Sequence, residues 1–317
     1  MTFVIKKASP GIDALDILGQ ELDDGFEVRE FDDTRPLVDQ VAGAHALLAR
    51  SIPITADVID AAPELRIIQR PGIHLEGIDI EHARSRGILL ARVPAEARIG
   101  VKGVPVAEHA LALILGLTKS LQLARPSFAD GVVGLPTTEQ VTGMRLGLVG
   151  VGRIGAALAT MARAIGLEVA AVRRDTSAPA PEGLAWVGGP DDLHRLLAWS
   201  QVVSIHLPLV EATTGIIGAA ELEAMPAGSY LVNTARAELV DEGALRAAMA
   251  SGHLGGFGTD LWWGEPADPA DPLLADPRVV ATPHIAAMTT TEMTAIYRVV
   301  AENMRRVAAG EPPEHAL

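Results

Sequence analysis

The stretch RLGLVGVGRIGAAL, residues 145–158, is an apolar run that ends in glycines and then passes into helix-forming residues. Gly150, Gly152 and Gly155 have the spacing G-x-G-x-x-G. Between a strand and a helix, the first glycine permits the tight turn, the second lets the backbone approach a pyrophosphate, and the third permits close packing. The next apolar run, LEVAAVRR, arrives where the second strand of such a unit belongs. The pattern predicts a dinucleotide site, with phosphates on the helix N-terminus near Arg153.

The same alternation of strand and helix patterns occurs twice, once before residue 94 and again from residue 145. Alternating patterns of this kind predict βαβ units and parallel sheets, and 317 residues suit two domains. A long apolar helix is predicted over 104–125, between the two series. Residues 289–310 form an amphipathic pattern with Met293, Ile296, Val300 and Met304 on one stripe. We expect this last helix to pack on the first domain and make it discontinuous.

Composition narrows the class of protein. Hydrophobic residues make up 49% and charged residues 21% of the chain, which is typical of folded domains. A net charge of -14 argues against nucleic acid and anionic membranes as partners. There are no cysteines, so thiolate metal sites and cysteine nucleophiles are excluded, and no metal is expected. The first residues, MTFVIKKASP, lack an apolar secretory segment, which predicts a cytoplasmic location.

Three late stretches supply the residue types that hydride transfer to a carbonyl needs: a proton donor, a carboxylate beside it and a cation for an acidic substrate. They contain Arg236, Glu265 and His284, and each follows a predicted strand. Ligands of α/β sheets bind outside the carboxyl ends of strands. Taken singly, however, each of these residues is more often structural than catalytic.

Together, these and other motifs resemble the D-isomer-specific 2-hydroxyacid dehydrogenase family along nearly the whole chain. The motifs are RPGIHLEGIDI (70–80), VAEHALALIL (106–115), GVGRIG (150–155), HLPLVEATTGII (206–217), MPAGSYLVNTARAELVDEGAL (225–245), GTDLWWGEP (258–266) and TPHIA (282–286). The resemblance implies a Rossmann-type dinucleotide-binding domain over 104–286. It also implies a flavodoxin-like substrate domain made of 1–103 and 287–317.

The resemblance implies a role for each residue of the late motifs. Arg236 holds the substrate carboxylate, and a planar guanidinium suits this because it can donate two parallel hydrogen bonds. Glu265 orients His284 and favours its protonated form. His284 is the general acid in reduction and the general base in oxidation. In the first domain, Ile73 and His74 stand in the loop that offers main-chain amides to the substrate.

The cofactor is expected to lie along the carboxyl ends of the second sheet. The residues assigned to it are Gly150, Gly152, Arg153, Ile154, Gly155, Arg173, Arg174, His206, Pro208, Thr213, Thr234, Ala235 and Asp260. Asp260 matches the family's carboxylate near the nicotinamide amide. Arg173 stands where relatives that use NAD carry an aspartate, and an arginine there can bind a 2′-phosphate. NADP is therefore the predicted cofactor, with NAD as the alternative.

The predicted function is hydride transfer between NADPH or NADH and a small 2-oxo acid such as glyoxylate or hydroxypyruvate, in a homodimer formed through the helix beginning at VAEHA. Relatives that act on phosphoglycerate or phosphite stay open as alternatives, as does a dinucleotide-sensing corepressor. The last predicted helix ends close to the last residue, which argues against the long phosphoglycerate dehydrogenases. Trp262 and Trp263 either wall the substrate cavity or pack in the core.

Overall fold

A computed structural model describes residues 2–8, 15–50, 52–72, 75–94, 103–177, 179 and 181–317 of the chain. The chain divides into two compact units. Unit 1 consists of Met1–Gly100 and Thr290–Leu317, and unit 2 consists of Val101–Thr289. The sheet of each unit is parallel throughout, which confirms the predicted α/β fold class.

Unit 1 is built on a five-stranded sheet in the order β2-β1-β3-β4-β5, the order of flavodoxin-like folds. Its strands are β1 (Phe3–Lys7), β2 (Phe26–Arg29), β3 (Ala46–Leu48), β4 (Ile67–Arg70) and β5 (Leu89–Arg92). Its helices are α1 (Leu15–Glu21), α2 (Ala56–Asp60), α3 (Ile80–Ser85) and α11 (Thr290–Ala308). β3 is buried at every position, as expected of a parallel sheet covered on both faces.

The C-terminal helix α11 belongs to unit 1. All four residues of its predicted apolar stripe are buried. Asn303 is fully buried, and its Nδ2 donates to Gln69 Oε1 on β4 at 2.8 Å. Its Oδ1 accepts from the backbone N–H of Glu314 at 2.7 Å. A buried amide needs such partners, and here they fix both the helix and the segment after it to the sheet of unit 1.

Unit 2 is built on a seven-stranded sheet in the order β12-β11-β10-β9-β6-β7-β8. Its strands are β6 (Arg145–Val149), β7 (Glu168–Val172), β8 (Val187–Gly188), β9 (Val202–Ile205), β10 (Ser229–Asn233), β11 (Leu254–Thr259) and β12 (Val279–Ala281). Its helices are α4 (Val104–Thr118), α5 (Leu121–Ala129), α6 (Arg153–Ala164), α7 (Leu193–Trp199), α8 (Ala219–Ala224), α9 (Glu242–Ala250) and α10 (Pro272–Ala275). The strand order reverses between β6 and β9, which is the switch point where doubly wound folds bind dinucleotides.

The register of the sheet in unit 2 brings several segments to one edge. Val149 at the end of β6 lies beside Val172 of β7 and Ile205 of β9. On the other side, Asn233 of β10 lies beside Thr259 of β11, and Thr259 beside Ala281 of β12. Each segment that follows these strands therefore starts from the carboxyl edge of the same sheet.

The single helix predicted over 104–125 is wrong. The structure has α4 and α5, which meet at a bend of 49°. Ser120, between them, has a φ of 51°, in the left-handed region that ends a right-handed helix. Within the described ranges no single helix is long and apolar enough to cross a membrane, and the bent pair α4–α5 passes that test by length and composition only.

Candidate functional site

The glycine-rich turn joins β6 to α6 as predicted. Gly150 has a φ of 97°, and a Cβ there would lie 2.8 Å from the carbonyl oxygen of His206. A Cβ on Gly155 would lie 2.5 Å from the carbonyl oxygen of Gly150. Both contacts are too close for any side chain. Packing by itself is therefore enough to require glycine at both positions. A Cβ on Gly152 would meet nothing within 4 Å, so open space faces the turn at that residue.

The first turn of α6 supplies donors beside this open space. Arg153, Ile154 and Gly155 begin the helix, and the first backbone N–H groups of a helix have no partner within it. The side chain of Arg153 is exposed, and Ile154 lies next to Gly103 at the start of α4. A pyrophosphate fits this arrangement, because it needs backbone N–H donors and a turn without side chains.

Arg173 follows β7 directly and stands level with the glycine-rich turn. The N–H of Gly150 donates to the carbonyl of Val172 at 2.9 Å, and the Arg173 Nη1 donates to the carbonyl of Pro179 at 3.2 Å. Arg174 is exposed. Asp175 Oδ1 accepts from both the N–H and the hydroxyl of Ser177, at 2.9 and 2.6 Å. Arg173 and Arg174 therefore lie at the carboxyl edge of the sheet, as predicted. The neighbouring carboxylate of Asp175 accepts hydrogen bonds within its own turn.

The segment after β9 approaches the glycine-rich turn from the other side of the switch point. His206 Nε2 lies 3.0 Å from Ser204 Oγ, and burial lowers the pKa of His206 to about 4. The ring is therefore neutral near pH 7. Further along, the Thr213 hydroxyl donates to the carbonyl of Pro208 at 2.7 Å and accepts from the N–H of Val210 at 2.9 Å. Both side chains thus shape this loop through contacts with the protein itself.

The turn after β10 is held by a residue that the sequence analysis missed. Asn233 is fully buried; its Nδ2 donates to the carbonyl of Arg236 at 2.7 Å, and its Oδ1 accepts from the N–H of Ala235 at 3.0 Å. A buried amide at the end of an apolar strand was the signal that could have found it. Thr234 Oγ1 is buried and has no hydrogen-bond partner among the described residues. Arg236 is exposed, and its Nη1 donates to the carbonyl of Ala235 at 2.6 Å.

Glu265 and His284 form a direct pair. Nδ1 of His284 lies 2.8 Å from Oε2 of Glu265, and both side chains are about half exposed, at 51% and 42%. His284 has a φ of 57°, which is unusual for a residue with a Cβ. The pair leaves Nε2 of the imidazole on the side away from the carboxylate. This is the arrangement in which a carboxylate fixes the ring of a proton-transfer histidine.

Asp260 lies beneath the His284 segment. Only 2% of it is exposed, and its Oδ1 accepts from the N–H of Ile285 at 2.8 Å while its Oδ2 accepts from the N–H of Ala286 at 2.7 Å. Its own carbonyl accepts from the N–H of His284 at 2.8 Å. The structure thus assigns Asp260 to the backbone that carries His284; its contact with the nicotinamide stays a prediction.

The remaining predicted positions are the two tryptophans that follow Asp260 and two residues of the first domain. Trp262 is 8% exposed and its Nε1 donates to Asp271, while the Trp263 Nε1 donates to the carbonyl of Val240. Both rings belong to the core of unit 2 or its margin. Ile73 and His74 lie outside the described residues. Within the described part of the chain no three His, Asp or Glu side chains are close enough to hold a metal ion.

A glycine-rich turn at the switch point of a doubly wound sheet and a His–Glu pair on the same carboxyl edge define a dinucleotide-binding α/β protein of the dehydrogenase type. Comparison with known proteins gives the family. The chain belongs to the D-isomer specific 2-hydroxyacid dehydrogenases, because residues 111–286 match the model of their NAD binding domain. This confirms the resemblance found in the sequence.

Individual relatives carry different names. The chain is 33% identical to a glyoxylate reductase of Korarchaeum cryptofilum over 312 residues, which are 94% of this chain and 91% of the relative. It is also 33% identical to a D-3-phosphoglycerate dehydrogenase of Archaeoglobus fulgidus over 290 residues, 89% of this chain and 53% of that protein. The chain therefore spans about half the length of that relative. The crystal structure of the TT0316 protein from Thermus thermophilus matches all of both chains at 33% identity, with a TM-score of 0.78.

Proposed function

We propose that this protein is an oxidoreductase that transfers a hydride between a nicotinamide dinucleotide and a small 2-oxo acid, giving the D-2-hydroxy acid. The observation that carries the proposal is the 2.8 Å contact between His284 Nδ1 and Glu265 Oε2 at the carboxyl edge of a Rossmann-type sheet. In this proposal unit 2 binds the dinucleotide and unit 1 is the substrate domain.

The described residues fit a dinucleotide. Open space faces Gly152, the first N–H groups of α6 point out of the helix end, and the buried hydroxyl of Thr234 has no partner within the described residues. A buried hydroxyl without a partner is costly, and a polar ligand removes that cost. When bound, the nicotinamide supplies the hydride for reduction and accepts it in oxidation.

The proposed proton transfer uses Nε2 of His284, the ring nitrogen that Glu265 does not bind. With Nδ1 held by Glu265, the protonated ring presents Nε2–H to the carbonyl oxygen of a 2-oxo acid and gives up that proton as the alcohol forms. In the opposite direction the neutral ring accepts the proton from the alcohol. The carboxylate of Glu265 stabilises the positive charge that the ring carries in one half of this cycle.

Arg236 is the proposed anchor for the substrate carboxylate. It follows β10, and β11 separates that strand from β12, which leads to His284. One guanidinium nitrogen is used to hold the turn through the carbonyl of Ala235. The rest of the planar group suits bidentate binding of a carboxylate and also polarises an adjacent carbonyl.

Glyoxylate or hydroxypyruvate is our proposed substrate. The support is the glyoxylate reductase of Korarchaeum cryptofilum, which this chain matches over 91% of its length. NADPH is the proposed cofactor of choice. Its support is the position of Arg173 and Arg174, beside the glycine-rich turn and at the end of the strand where a carboxylate would select NADH.

We propose further that the protein forms a homodimer. The interface predicted from the sequence, through the helix beginning at VAEHA, stays a prediction, and we propose that the segment directly after that helix contributes to it. On α4, Ala107, Ala110, Leu113, Ile114 and Leu117 are buried inside unit 2, whereas Leu111 and Leu115 are half-buried and Ala112 is exposed. By contrast, no described residue of α5 is buried, and Phe128 and Val133 are 90% and 96% exposed. Apolar side chains exposed together in this way are typical of an interface, and a second copy of the chain is the proposed partner.

The test is a steady-state assay of the purified protein with NADPH and with NADH against glyoxylate, hydroxypyruvate, pyruvate and 3-phosphohydroxypyruvate. We expect oxidation of the nicotinamide with the first two acids, faster with NADPH. Turnover of the phosphorylated acid alone would replace the proposed substrate. Dinucleotide binding without turnover of any acid would contradict an enzyme and favour a dinucleotide-sensing binding protein.

A further inference from the structure

His109 is a half-buried histidine of α4 to which the proposed function gives no role. Its Nε2 lies 2.8 Å from Thr282 Oγ1, just after β12, and 3.6 Å from Asp260 Oδ1, just after β11. Thr282 Oγ1 in turn lies 2.6 Å from the same carboxylate oxygen of Asp260. Three elements of unit 2 therefore meet through these side chains at the segment that carries His284.

The protons in this cluster have one consistent arrangement. A carboxylate only accepts, and a threonine hydroxyl has one proton to give. At 2.6 Å that proton belongs to the hydrogen bond from Thr282 to Asp260. The hydroxyl oxygen is then an acceptor toward the ring, so Nε2 of His109 carries a proton and donates it to Thr282. A residue without a donor at this position would leave the Thr282 oxygen with one hydrogen bond fewer.

Asp260 passes this restraint on to the proposed proton donor. It binds the N–H groups of Ile285 and Ala286 with its two carboxylate oxygens and that of His284 with its carbonyl. His284 lies in the left-handed region, which is unfavourable for a residue with a Cβ. The backbone around His284 holds that conformation only while its hydrogen bonds hold, so the orientation of Asp260 bears directly on the imidazole.

We propose that His109 is a positioning residue, which acts through Thr282 and Asp260 to hold the His284 segment in the conformation that proton transfer needs. It does so by donating to the hydroxyl of Thr282, directly after β12. The inference rests on the proposed function for the role of His284. The hydrogen bonds that connect His109 to residues 284–286 through Thr282 and Asp260 do not depend on that function.

Four variants separate positioning from general stability. His109→Leu removes the donor, and Thr282→Val removes the hydroxyl at nearly constant shape. His109→Gln keeps an N–H near the place of Nε2 and is the rescue variant. His253→Leu is the matched control, because His253 Nε2 makes a comparable 2.9 Å contact with the carbonyl of Leu222 elsewhere in unit 2.

The first measurement is hydrogen exchange of the peptide 283–288 in the full chain, with thermal unfolding of each variant alongside. We expect exchange at the Ile285 and Ala286 amides to quicken about 10-fold or more in His109→Leu and Thr282→Val, because bonds that fix these amides loosen. His109→Gln and His253→Leu should exchange like the wild type. Unchanged exchange in His109→Leu would overturn the inference.

The second measurement is steady-state kinetics with the best 2-oxo acid. A misplaced acid lowers kcat, here by about 10- to 100-fold, while the Kd of the dinucleotide should stay within about 2-fold. His109→Gln should restore most of the rate. The double variant His109→Leu, Thr282→Val should have a kcat no lower than that of the poorer single variant, because both substitutions break the same chain of hydrogen bonds. An equal loss of kcat in His253→Leu, or no rescue by glutamine, would leave His109 a merely structural residue.

Different results would contradict the proposed function and the positioning role of His109. If the wild type reduces 2-oxo acids but His109→Leu has normal exchange and normal kcat, the inference is wrong and the proposed function stands. If the wild type reduces none of them, the proposed function is wrong, and the exchange rates alone decide whether His109 positions residues 284–286.

Discussion

Replacing His284 with alanine removes the imidazole that gives and takes the proton in the proposed reaction. We expect kcat to fall by about 10²–10⁴, the usual contribution of a general acid, with little change in dinucleotide affinity. Steady-state rates and a fluorescence titration with NADPH measure the two quantities. His194→Ala, at a histidine whose side chain is 60% exposed, is the control and should keep normal turnover. Near-normal kcat in His284→Ala would refute the assignment.

The sequence could name these residues only through family motifs. A lone histidine after a strand predicts little, and His284 lies 19 positions after Glu265. The link from His109 to Thr282 spans 173 residues and has no periodic signature at all. The role of Asn233 was not predicted for a related reason. Its partners are backbone groups of the next turn, which no side-chain motif indicates. Hydrogen bonds between distant segments depend on register, which a single sequence does not display.

The proposed preference for NADPH depends on Arg173. Arg173→Asp replaces a cation beside the glycine-rich turn with an anion, which repels a 2′-phosphate and can accept from ribose hydroxyls. We expect the Kd of NADPH to rise roughly 10- to 100-fold, since hydrogen bonds to charged groups contribute about 1.5–3 kcal/mol, and the preference to move toward NADH. Titrations with both dinucleotides measure this, with Arg195→Asp as an exposed control. A wild type with higher kcat/KM for NADH than for NADPH would show the prediction to be wrong.

At the scale of elements, the local sequence pattern predicted which segments are strands and which are helices, but it did not predict where the long helix breaks. The unit formed by β6, the glycine-rich turn and α6 follows from the spacing of three glycines. Gly150 and Gly155 meet steric demands that only glycine satisfies, and Gly152 leaves open space beside the turn. The break between α4 and α5 does not follow from the sequence pattern, since Leu117 and Leu121 are equally apolar. Leu117 is buried in unit 2 while Leu121 is 63% exposed, and only the fold distinguishes them.

Two glycines of the turn should respond differently to the same change. In Gly155→Ala the added methyl would lie 2.5 Å from the carbonyl oxygen of Gly150, so α6 must move away from β6. We expect a loss of about 1–3 kcal/mol in the free energy of unfolding. In Gly152→Ala the methyl enters open space, so stability should hold while dinucleotide affinity falls. Urea unfolding and NADPH titration of both variants measure this. Equal stability of the two variants would contradict the packing argument.

At the scale of the whole chain, the exposed apolar side chains indicate where a second copy could bind. Apolar residues of α4 pack within unit 2, whereas α5 and the residues after it expose Leu121, Phe128, Val133 and Leu135 by 59% or more. A chain with a net charge of -14 is kept apart from its copies at long range. The proposed dimer therefore needs a localised apolar surface, and this segment exposes four large apolar side chains.

We therefore expect the protein to sediment as a dimer at micromolar concentration and the double variant Phe128→Glu, Val133→Glu to sediment as a monomer. Two carboxylates placed opposite their own copies across a two-fold interface would lose solvation and repel each other, while in a single chain both positions already face water. Ile165→Glu, at an apolar residue of unit 2 that is 37% exposed and lies outside the segment, is the control and should stay dimeric. Sedimentation velocity gives the mass, and thermal unfolding checks that the double variant is folded. A wild type that is monomeric, or a double variant that stays dimeric, would show that this segment is not the interface.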